Sequence, residues 1–307
     1  MVEILTIENE HWRIGFSPAT GGSITSGQVR IDDAWVDVLR PTPESLLGEW
    51  WDMASYPLIP WSNRIRHSTL LWKGEAYQLR PWKTEDYAMH GTVVEYPWEV
   101  VEKGEDFVKL RFDARGYYGV NWPWDFVAHQ EYRLEGERFT VVTAVENVDD
   151  VAFPAGLGHH PYLLRQLRTP DGEAVGDVVQ LQVNATSAYE LENFMPTEGP
   201  KPLTPRVDFT TMRDLGTVMV DDCFAGRTGR TAAVMKFGDA LTLTLDANDI
   251  CQHIVLYIPP NENHFALEAV TNANDGFTLH AKGIEGAGVF EVPVGETVAA
   301  EFSLTIS

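Results

Sequence analysis

Apolar and polar residues alternate with a period of two along much of the chain, which is the spacing of half-buried β-strands. The clearest alternating segments are 138–145 (RFTVVTAV), 178–183, 241–245 (LTLTL), 253–258 and 301–306 (EFSLTI). Apolar residues spaced for one face of a helix over ten or more positions are hard to find. The pattern therefore predicts a protein built almost entirely of strands.

Short glycine-containing turn motifs separate these segments at close intervals. They are Thr20-Gly21-Gly22, Lys103-Gly104, Glu135-Gly136, Asp171-Gly172 and Gly238-Asp239. Many short strands with frequent turns favour an all-β fold, so we expect a large antiparallel β-sandwich with few or no long helices. No repeat or long linker divides residues 1–307, which predicts a single domain, and the polar segment 165–177 is expected to be a surface loop.

The charge balance narrows the choice of partners. With 23 basic against 45 acidic residues, the formal net charge is −22, which argues against nucleic acid or anionic membrane as a partner. The N-terminal segment lacks the features of a secretion signal, and no stretch approaches the roughly 18 apolar residues of a membrane span. Cys223 and Cys251 are too few for a disulfide framework. We therefore expect a soluble, cytoplasmic protein that binds a small molecule.

Tryptophan is confined to the first half of the chain, where all ten residues fall between Trp12 and Trp124. Most are expected to be core residues, because large aromatic side chains bury much apolar area. Flat aromatic faces also pack against the C–H face of sugar rings. A carbohydrate site is therefore one possible role of the cluster formed by Trp50, Trp51, Trp61, Trp72 and Trp82.

Five short segments carry ionisable residues in strand-like or turn-like surroundings: 60–66 (PWSNRIR), 89–91 (MHG), 156–162 (GLGHHPY), 220–224 (VDDCF) and 265–269 (FALEA). Glu268 lies among apolar neighbours, so burial should raise its pKa and suit it to act as a general base. His159 and His160 are adjacent and point to opposite faces of an extended segment, so only one should face a site. No HxH or HExxH pattern occurs, and no metal is expected.

Each of these residues also has an ordinary structural reading. His90 before Gly91 is compatible with the end of a strand, and a lone histidine is more often a hydrogen-bonded fixture than a catalyst. Arg64 is compatible with a surface cation paired with one of the many carboxylates. Asp221 and Asp222 are compatible with a turn cap. Glu268 fits a purely structural role least well, because a buried carboxylate is costly unless it is paired or neutralised.

Taken in order, the segments resemble the aldose 1-epimerase (galactose mutarotase) family. The resemblance is carried by P-x-x-N-R-I at 60–65, His-Gly at 90–91, His-Pro-Tyr at 160–162, Asp-x-x-Phe at 221–224 and the late buried Glu268. A hairpin with a glycine turn at 71–79 (LWKGEAYQL) adds to it. The resemblance spans about residues 10–300, and the order of the elements is more specific than any one of them.

The resemblance implies a galactose mutarotase-like supersandwich whose concave face binds a free aldohexose without a cofactor. His160 is then the general acid and Glu268 the general base. Sugar contacts are implied for Asn63, Arg64, His90 and Asp221, where the spacing to Phe224 favours Asp221 over Asp222. A protonated His160 at neutral pH needs a raised pKa, and a nearby carboxylate is expected to cause it.

Three other functions stay open at this stage. An epimerase for a phosphorylated hexose would need a cluster of cations, for which Arg64 and Arg66 are candidates. A non-catalytic sugar-binding or sugar-sensing sandwich would keep the pocket without needing both an acid and a base. A glycosidase would use two carboxylates, Glu268 with Asp221 or Asp222.

Overall fold

The computed structural model of the protein describes residues 2–307, which form thirty strands, one α-helix and five short 3-10 turns. The first ten strands are β1 (Leu5–Glu8), β2 (Trp12–Ser17), β3 (Ser23–Ile31), β4 (Ala34–Leu39), β5 (Pro57–Leu58), β6 (Arg64–Ile65), β7 (Thr69–Trp72), β8 (Glu75–Gln78), β9 (Ala88–Met89) and β10 (Glu99–Lys103). The next ten are β11 (Phe107–Asp113), β12 (Phe126–Glu135), β13 (Arg138–Asn147), β14 (Phe153–Ala155), β15 (Gly158–His159), β16 (Tyr162–Arg168), β17 (Ala174–Val175), β18 (Gln180–Val183), β19 (Ser187–Ala188) and β20 (Leu191–Glu192). The last ten are β21 (Met195–Pro196), β22 (Lys201–Pro202), β23 (Arg213–Asp214), β24 (Val220–Ala225), β25 (Thr231–Lys236), β26 (Thr242–Ala247), β27 (His253–Ile258), β28 (His264–Val270), β29 (Phe290–Val292) and β30 (Thr297–Ile306).

Two large antiparallel sheets hold most of these strands. The first has thirteen strands with the central order β1-β2-β3-β4-β16-β28-β27-β24-β19-β22, and the second has nine in the order β10-β11-β12-β13-β30-β26-β25-β18-β23. Non-consecutive strands such as β16 and β28 lie side by side, so residues far apart in sequence meet on one sheet. This arrangement confirms the prediction of an antiparallel β-sandwich.

Aromatic side chains fill the space between the two sheets. The ring centroids of Trp12 on β2 and Phe139 on β13 lie 5.7 Å apart, and those of Phe16 and Tyr132 lie 6.0 Å apart. All four side chains are buried. Burial of such large apolar side chains is the main force that holds the sheets together, at roughly 1.5–3 kcal/mol for each phenylalanine.

The alternating segments of the sequence correspond to observed strands. Segment 253–258 coincides with β27, and segment 301–306 is the C-terminal part of the longer β30. The predicted hairpin at 71–79 is formed by β7 and β8 around Lys73-Gly74. The prediction of a loop over 165–177 is wrong in part, because β16 continues to Arg168 and pairs with the short β17. The single-domain prediction is not tested by these features.

Helix contributes little to the described residues. The one α-helix there is α1 (Gly276–Ala281), which has six residues and follows the strand that carries Glu268. The expectation of few or no long helices is therefore confirmed. Among residues 2–307 no helix combines the length and apolarity that crossing a membrane requires.

Candidate active site

Strand register brings four side chains onto one face of the thirteen-stranded sheet. Asp221 on β24 pairs with Tyr257 on β27, and Val255 on β27 pairs with Glu268 on β28. Directly paired residues share a face, as do residues two apart on one strand, so all four point the same way. They line a cavity of about 270 Å³ together with Trp50, Trp51, Tyr56, Asn63, Arg64, Met89, His90, His160, Tyr162, Phe194 and Met219.

A two-stranded ladder delivers a second group of residues to this cavity. β6 pairs with β9 through Arg64 and Met89, and the backbone N–H of His90 donates to the carbonyl oxygen of Asn63 at 2.9 Å. Both Asn63 (φ 56°) and His90 (φ 60°) have left-handed backbone conformations, which are uncommon for residues other than glycine. Gly91 follows because a Cβ there would lie 2.1 Å from the carbonyl oxygen of Ile59.

Buried polar contacts fix this ladder to the end of β28. The Ser62 N–H and hydroxyl donate to the Asn272 side-chain and backbone carbonyls at 3.0–3.1 Å, and the Asn272 amide donates back to the Ser62 carbonyl. Arg66 donates through its Nε to Asp275 Oδ2 at 2.9 Å, and Asp275 is fully buried. The residues that flank Arg64 and those that follow Glu268 are thereby held together, although about 210 positions separate them.

His160 and Glu268 form a direct contact at the floor of the cavity. Nε2 of His160 lies 3.2 Å from Oε1 of Glu268, and both side chains are buried. The Tyr56 ring stacks on the His160 imidazole with centroids 4.8 Å apart, and the His90 ring meets it edge-on at 5.2 Å. Oε2 of Glu268 and Nδ1 of His160 have no protein hydrogen-bond partner. The pair is therefore fixed in place and keeps unused hydrogen-bonding capacity.

Burial controls the protonation of this pair. It raises the pKa of Glu268 well above its usual range, with a smaller contribution from Asp221, as the sequence predicted. The prediction of a raised pKa for His160 is wrong: the pKa of His160 is lowered to about 3, mainly by burial and to a smaller extent by the cations of Arg40 and Arg64. A neutral imidazole and a protonated carboxyl carry the same single proton as an imidazolium–carboxylate pair. The 3.2 Å separation of Nε2 and Oε1 is within the distance over which a proton can pass between two such groups.

Arg64 and Asp221 face each other across the cavity, with Nη1 of Arg64 3.8 Å from Oδ2 of Asp221. Nη1 also donates to the side-chain oxygen of Asn63 at 3.2 Å. Burial lowers the pKa of His90 well below its usual value, and His160 and Arg64 add to this effect. His90 is therefore neutral at pH 7, and one of its ring nitrogens is free to donate a hydrogen bond while the other accepts one.

All six predicted site residues thus lie in this cavity: Asn63, Arg64, His90, His160, Asp221 and Glu268. The structure also separates the two adjacent aspartates. Asp222 does not line the cavity and instead accepts two hydrogen bonds from Arg206, at 2.8 and 2.6 Å. The expectation that Asp221 faces the site is therefore met, while its role remains a prediction.

His159 points away from the cavity and into the space between the sheets. The Tyr132 hydroxyl donates to the Gly22 carbonyl at 2.7 Å and so accepts from Nε2 of His159 at 3.1 Å, while the Ser55 hydroxyl donates to Nδ1 at 2.5 Å. This assigns the proton to Nε2 of the neutral ring. Burial lowers the pKa of His159 to about 3, consistent with that neutral form.

The tryptophan cluster divides between site and core. Trp50 and Trp51 line the cavity, and Trp82 packs on both with ring centroids 5.1 and 5.9 Å away. Trp61 is fully buried and stacks on another tryptophan, and Trp72 is also buried. The expectation of a sugar-facing aromatic surface thus applies to the first pair alone among the five candidates.

Five cavity residues were missed by the sequence analysis: Tyr56, Phe194, Met219, Val255 and Tyr257. Met89 and Tyr162 lie in segments that the sequence singled out, but no role was predicted for them. Tyr257 could have been predicted as a neighbour of Val255 on the same sheet face, because the two are two residues apart on a strand that the sequence predicts. Phe194 lies at the turn between β20 and β21, and Met219 in an irregular segment just before β24; no sequence pattern marks either residue.

The cavity offers little for a phosphate or a metal ion. Arg66, a candidate for phosphate binding, is paired with Asp275 and does not line the cavity. Arg64 is the one lysine or arginine among the cavity-lining residues, and Asp221 faces it. Across residues 2–307 no three side chains of His, Cys, Asp or Glu are grouped as a metal site would require.

Comparison with known proteins places the chain among sugar-active enzymes. A sequence profile of the family described as Aldose 1-epimerase matches residues 3–303. The chain is 26% identical over 287 residues to the Escherichia coli K12 protein YphB, described as uncharacterized, covering 90% of this chain and 92% of that one. A crystal structure of a galactose mutarotase-like protein from Clostridium acetobutylicum has a similar fold, with a TM-score of 0.85, 14% identity and coverage of 100% and 98%. Galactose 1-epimerase from Lactobacillus acidophilus NCFM has a TM-score of 0.74, 15% identity and coverage of 99% and 94%.

Proposed function

Because the chain belongs to the aldose 1-epimerase family and is an isomerase of the mutarotase-like type, we propose that it interconverts the α and β anomers of a free aldohexose. The observation that supports this proposal most directly is the buried contact between His160 and Glu268. Sugar binding alone requires neither an acid nor a base, whereas ring opening requires both. The cavity of about 270 Å³ is smaller than the roughly 300–1,000 Å³ typical of drug-sized ligands, a size suited to one sugar ring.

In the proposed reaction the two residues act on neighbouring oxygens of the sugar. The carboxylate of Glu268 takes the proton of the anomeric hydroxyl, and the imidazolium of His160 protonates the ring oxygen. The C1–O5 bond then breaks and leaves an open-chain aldehyde. Rotation about C1–C2 exposes the other carbonyl face, and reclosure with the roles exchanged gives the opposite anomer. Protons are conserved over the cycle, so this chemistry needs no cofactor.

The pKa shifts of the pair fit this cycle. The neutral imidazole and protonated carboxyl reach the reactive form by moving one proton from Glu268 to His160, without exchange with solvent. An entering sugar brings hydroxyl groups that hydrogen-bond to both ions and so replace part of their lost solvation. We therefore propose that sugar binding shifts the pair toward the imidazolium–carboxylate form.

Four other residues are proposed to bind the sugar hydroxyls. Arg64 and the neutral His90 supply N–H donors, and Asp221 accepts hydrogen bonds from hydroxyl groups. The Asn63 side chain also lines the cavity, where its amide group is proposed to contact the sugar, and its oxygen accepts from Arg64. Donors placed near oxygens that gain charge during ring opening also stabilise the transition state.

The proposed setting is the cytoplasm. Both cysteines, Cys223 and Cys251, are free thiols buried in the protein. Free thiols persist in reducing compartments, where disulfides are rare. This supports the proposed location without bearing on the reaction.

Exchange between anomers, observed by one-dimensional ¹H NMR, tests the substrate. The anomeric protons of the α and β forms give separate signals. When the protein is present, saturating the signal of one anomer is expected to reduce the signal of the other. D-galactose and D-glucose should show this transfer of saturation. Galactose 6-phosphate should not show transfer faster than that of the free sugars. Transfer confined to the phosphorylated sugar would contradict the proposal that the substrate is a free aldohexose.

A further inference from the structure

A tight hairpin with an unusual backbone covers one side of the cavity. Strands β20 and β21 pair through Leu191 and Pro196, and the two residues at the tip are Asn193 (φ 50°) and Phe194 (φ 66°). Two-residue hairpin loops with positive φ at both positions strongly prefer glycine at the second. A bulky residue in this conformation is strained, and such strain persists where the surrounding structure holds it.

The hairpin is anchored to the segments that carry the site. The side-chain amide of Asn274 donates to the Phe194 carbonyl at 3.1 Å, and Nη2 of Arg66 donates to the Pro196 carbonyl at 3.1 Å. Arg66 directly follows the strand of Arg64, and Asn274 lies shortly after the strand of Glu268. The position of the hairpin tip is therefore set by the same scaffold that places the cavity residues.

The Phe194 ring lies against the guanidinium group of Arg64. The Arg64 Cζ atom is 4.5 Å from the centroid of Phe194 and 5.4 Å from that of Tyr87, so two aromatic rings contact the cation. Arg64 is only 14% exposed, and its Nε has no protein hydrogen-bond partner. Its carboxylate neighbour Asp221 is 3.8 Å away, which is longer than a hydrogen bond.

We propose that Phe194 is a positioning residue that orients Arg64 for sugar binding. The ring occupies the face of the guanidinium, so that the N–H groups at its edge stay directed into the cavity. Without the ring, Arg64 is free to close on Asp221, and each then satisfies the other instead of the sugar. This inference rests on the proposed function, because it assigns the oriented N–H groups to a sugar ligand.

The unusual turn provides three discriminating variants. Phe194→Gly removes the ring and relieves the backbone strain, so the hairpin should form at least as easily as in the wild type. Asn193→Gly relieves strain at the neighbouring position and keeps the ring. Phe194→Tyr keeps an aromatic face over Arg64. A merely structural role for the ring predicts that Phe194→Gly changes Tm alone, whereas a positioning role predicts weaker sugar binding at unchanged or higher Tm.

Three measurements on the full chain decide between these roles: the Kd of D-galactose from tryptophan fluorescence, KM and kcat from polarimetry, and Tm. Trp50 and Trp51 line the cavity and report its occupancy. For Phe194→Gly we expect Kd and KM to rise roughly threefold to tenfold, the range of one cation–π contact, with kcat changed less. Asn193→Gly and Phe194→Tyr should keep the wild-type Kd and KM.

Unchanged Kd and KM in Phe194→Gly would overturn the positioning role, as would an equal loss of binding in Asn193→Gly. Failure of the proposed function gives a different result. In that case wild-type protein does not accelerate mutarotation of any sugar offered, while the fluorescence titration still compares binding between the variants. If the wild type binds D-galactose with no turnover, the positioning role is judged on Kd alone. If it neither binds nor turns over the sugar, the positioning role fails together with the proposed function.

Discussion

Nε2 of His160 lies 3.2 Å from Oε1 of Glu268, and both side chains are buried. Burial disfavours a charge on either group, so it lowers the pKa of the imidazole and raises that of the carboxyl. The pair gains a second proton only when His160 is protonated beside an already protonated Glu268. Because the pKa of His160 is about 3, that second step lies far below the ordinary imidazole value of roughly 6.5.

The pH profile of activity should show this coupling. We expect kcat/KM to show no imidazole titration as the pH falls from 7 to 5, because His160, with a pKa of about 3, binds no proton over that range. Polarimetric rates corrected for spontaneous mutarotation provide the profile, and circular dichroism at each pH confirms that the protein stays folded. An acid limb centred near pH 6.5 would show that His160 titrates independently of Glu268.

Substitutions of the two adjacent aspartates should affect different properties: sugar binding for Asp221 and protein stability for Asp222. Asp221→Asn removes a carboxylate that lines the cavity, so KM should rise by roughly tenfold while Tm changes little. Asp222→Asn removes the negative charge and replaces one of the two oxygens that accept from Arg206 with an NH2 group, so the free energy of unfolding should fall by about 1 kcal/mol with KM unchanged. Kinetics and urea unfolding of both variants test the assignment, which fails if Asp222→Asn has the larger effect on KM.

His159 should contribute to acid sensitivity of the fold. Its folded-state pKa is about 3, against roughly 6.5 in the unfolded chain. Between these values the unfolded chain binds a proton that the folded protein does not, so stability is lost as the pH falls from 6.5 toward 3. One such histidine contributes a slope of at most about 1.4 kcal/mol per pH unit.

His159→Gln removes this titration and should give a shallower decline of unfolding free energy between pH 6 and 4, whatever its effect at pH 7. His67→Gln is the matched control, because the His67 side chain is 69% exposed. Urea unfolding at several pH values measures both slopes. Equal slopes for wild type and His159→Gln would show that His159 is not held neutral in the folded protein.

Much of the fold was accessible from sequence because strand alternation is a local property. The alternation at 253–258 gives β27, and Lys73-Gly74 gives the turn of the β7–β8 hairpin. Strand order is not local, and no sequence pattern shows that β28 lies between β16 and β27. The loop expected at 165–177 failed in part for the same reason, since β16 extends to Arg168, which pairs with the distant Asp37 of β4.

The candidate site was predicted to a similar degree. Ionisable residues in apolar surroundings drew attention to Glu268 and His160, since such residues are costly to bury without a purpose. The direction of the His160 pKa shift was wrong, because an expected carboxylate neighbour was weighted above desolvation. Phe194 could not be found, because its contact with Arg64 depends on a hairpin that closes over the cavity from a distant part of the chain.

Polarimetry of freshly dissolved α-D-galactose and α-D-glucose tests the central claim most directly, with wild type compared against Glu268→Gln, His160→Ala and the control Glu262→Gln. The Glu262 side chain is 56% exposed and lies outside the cavity, so its variant should match wild type. We predict faster decay of rotation with wild type and a loss of kcat of roughly 10²–10⁴-fold in each of the other two variants. Wild-type acceleration that survives both substitutions, or no acceleration with either sugar, would contradict the account.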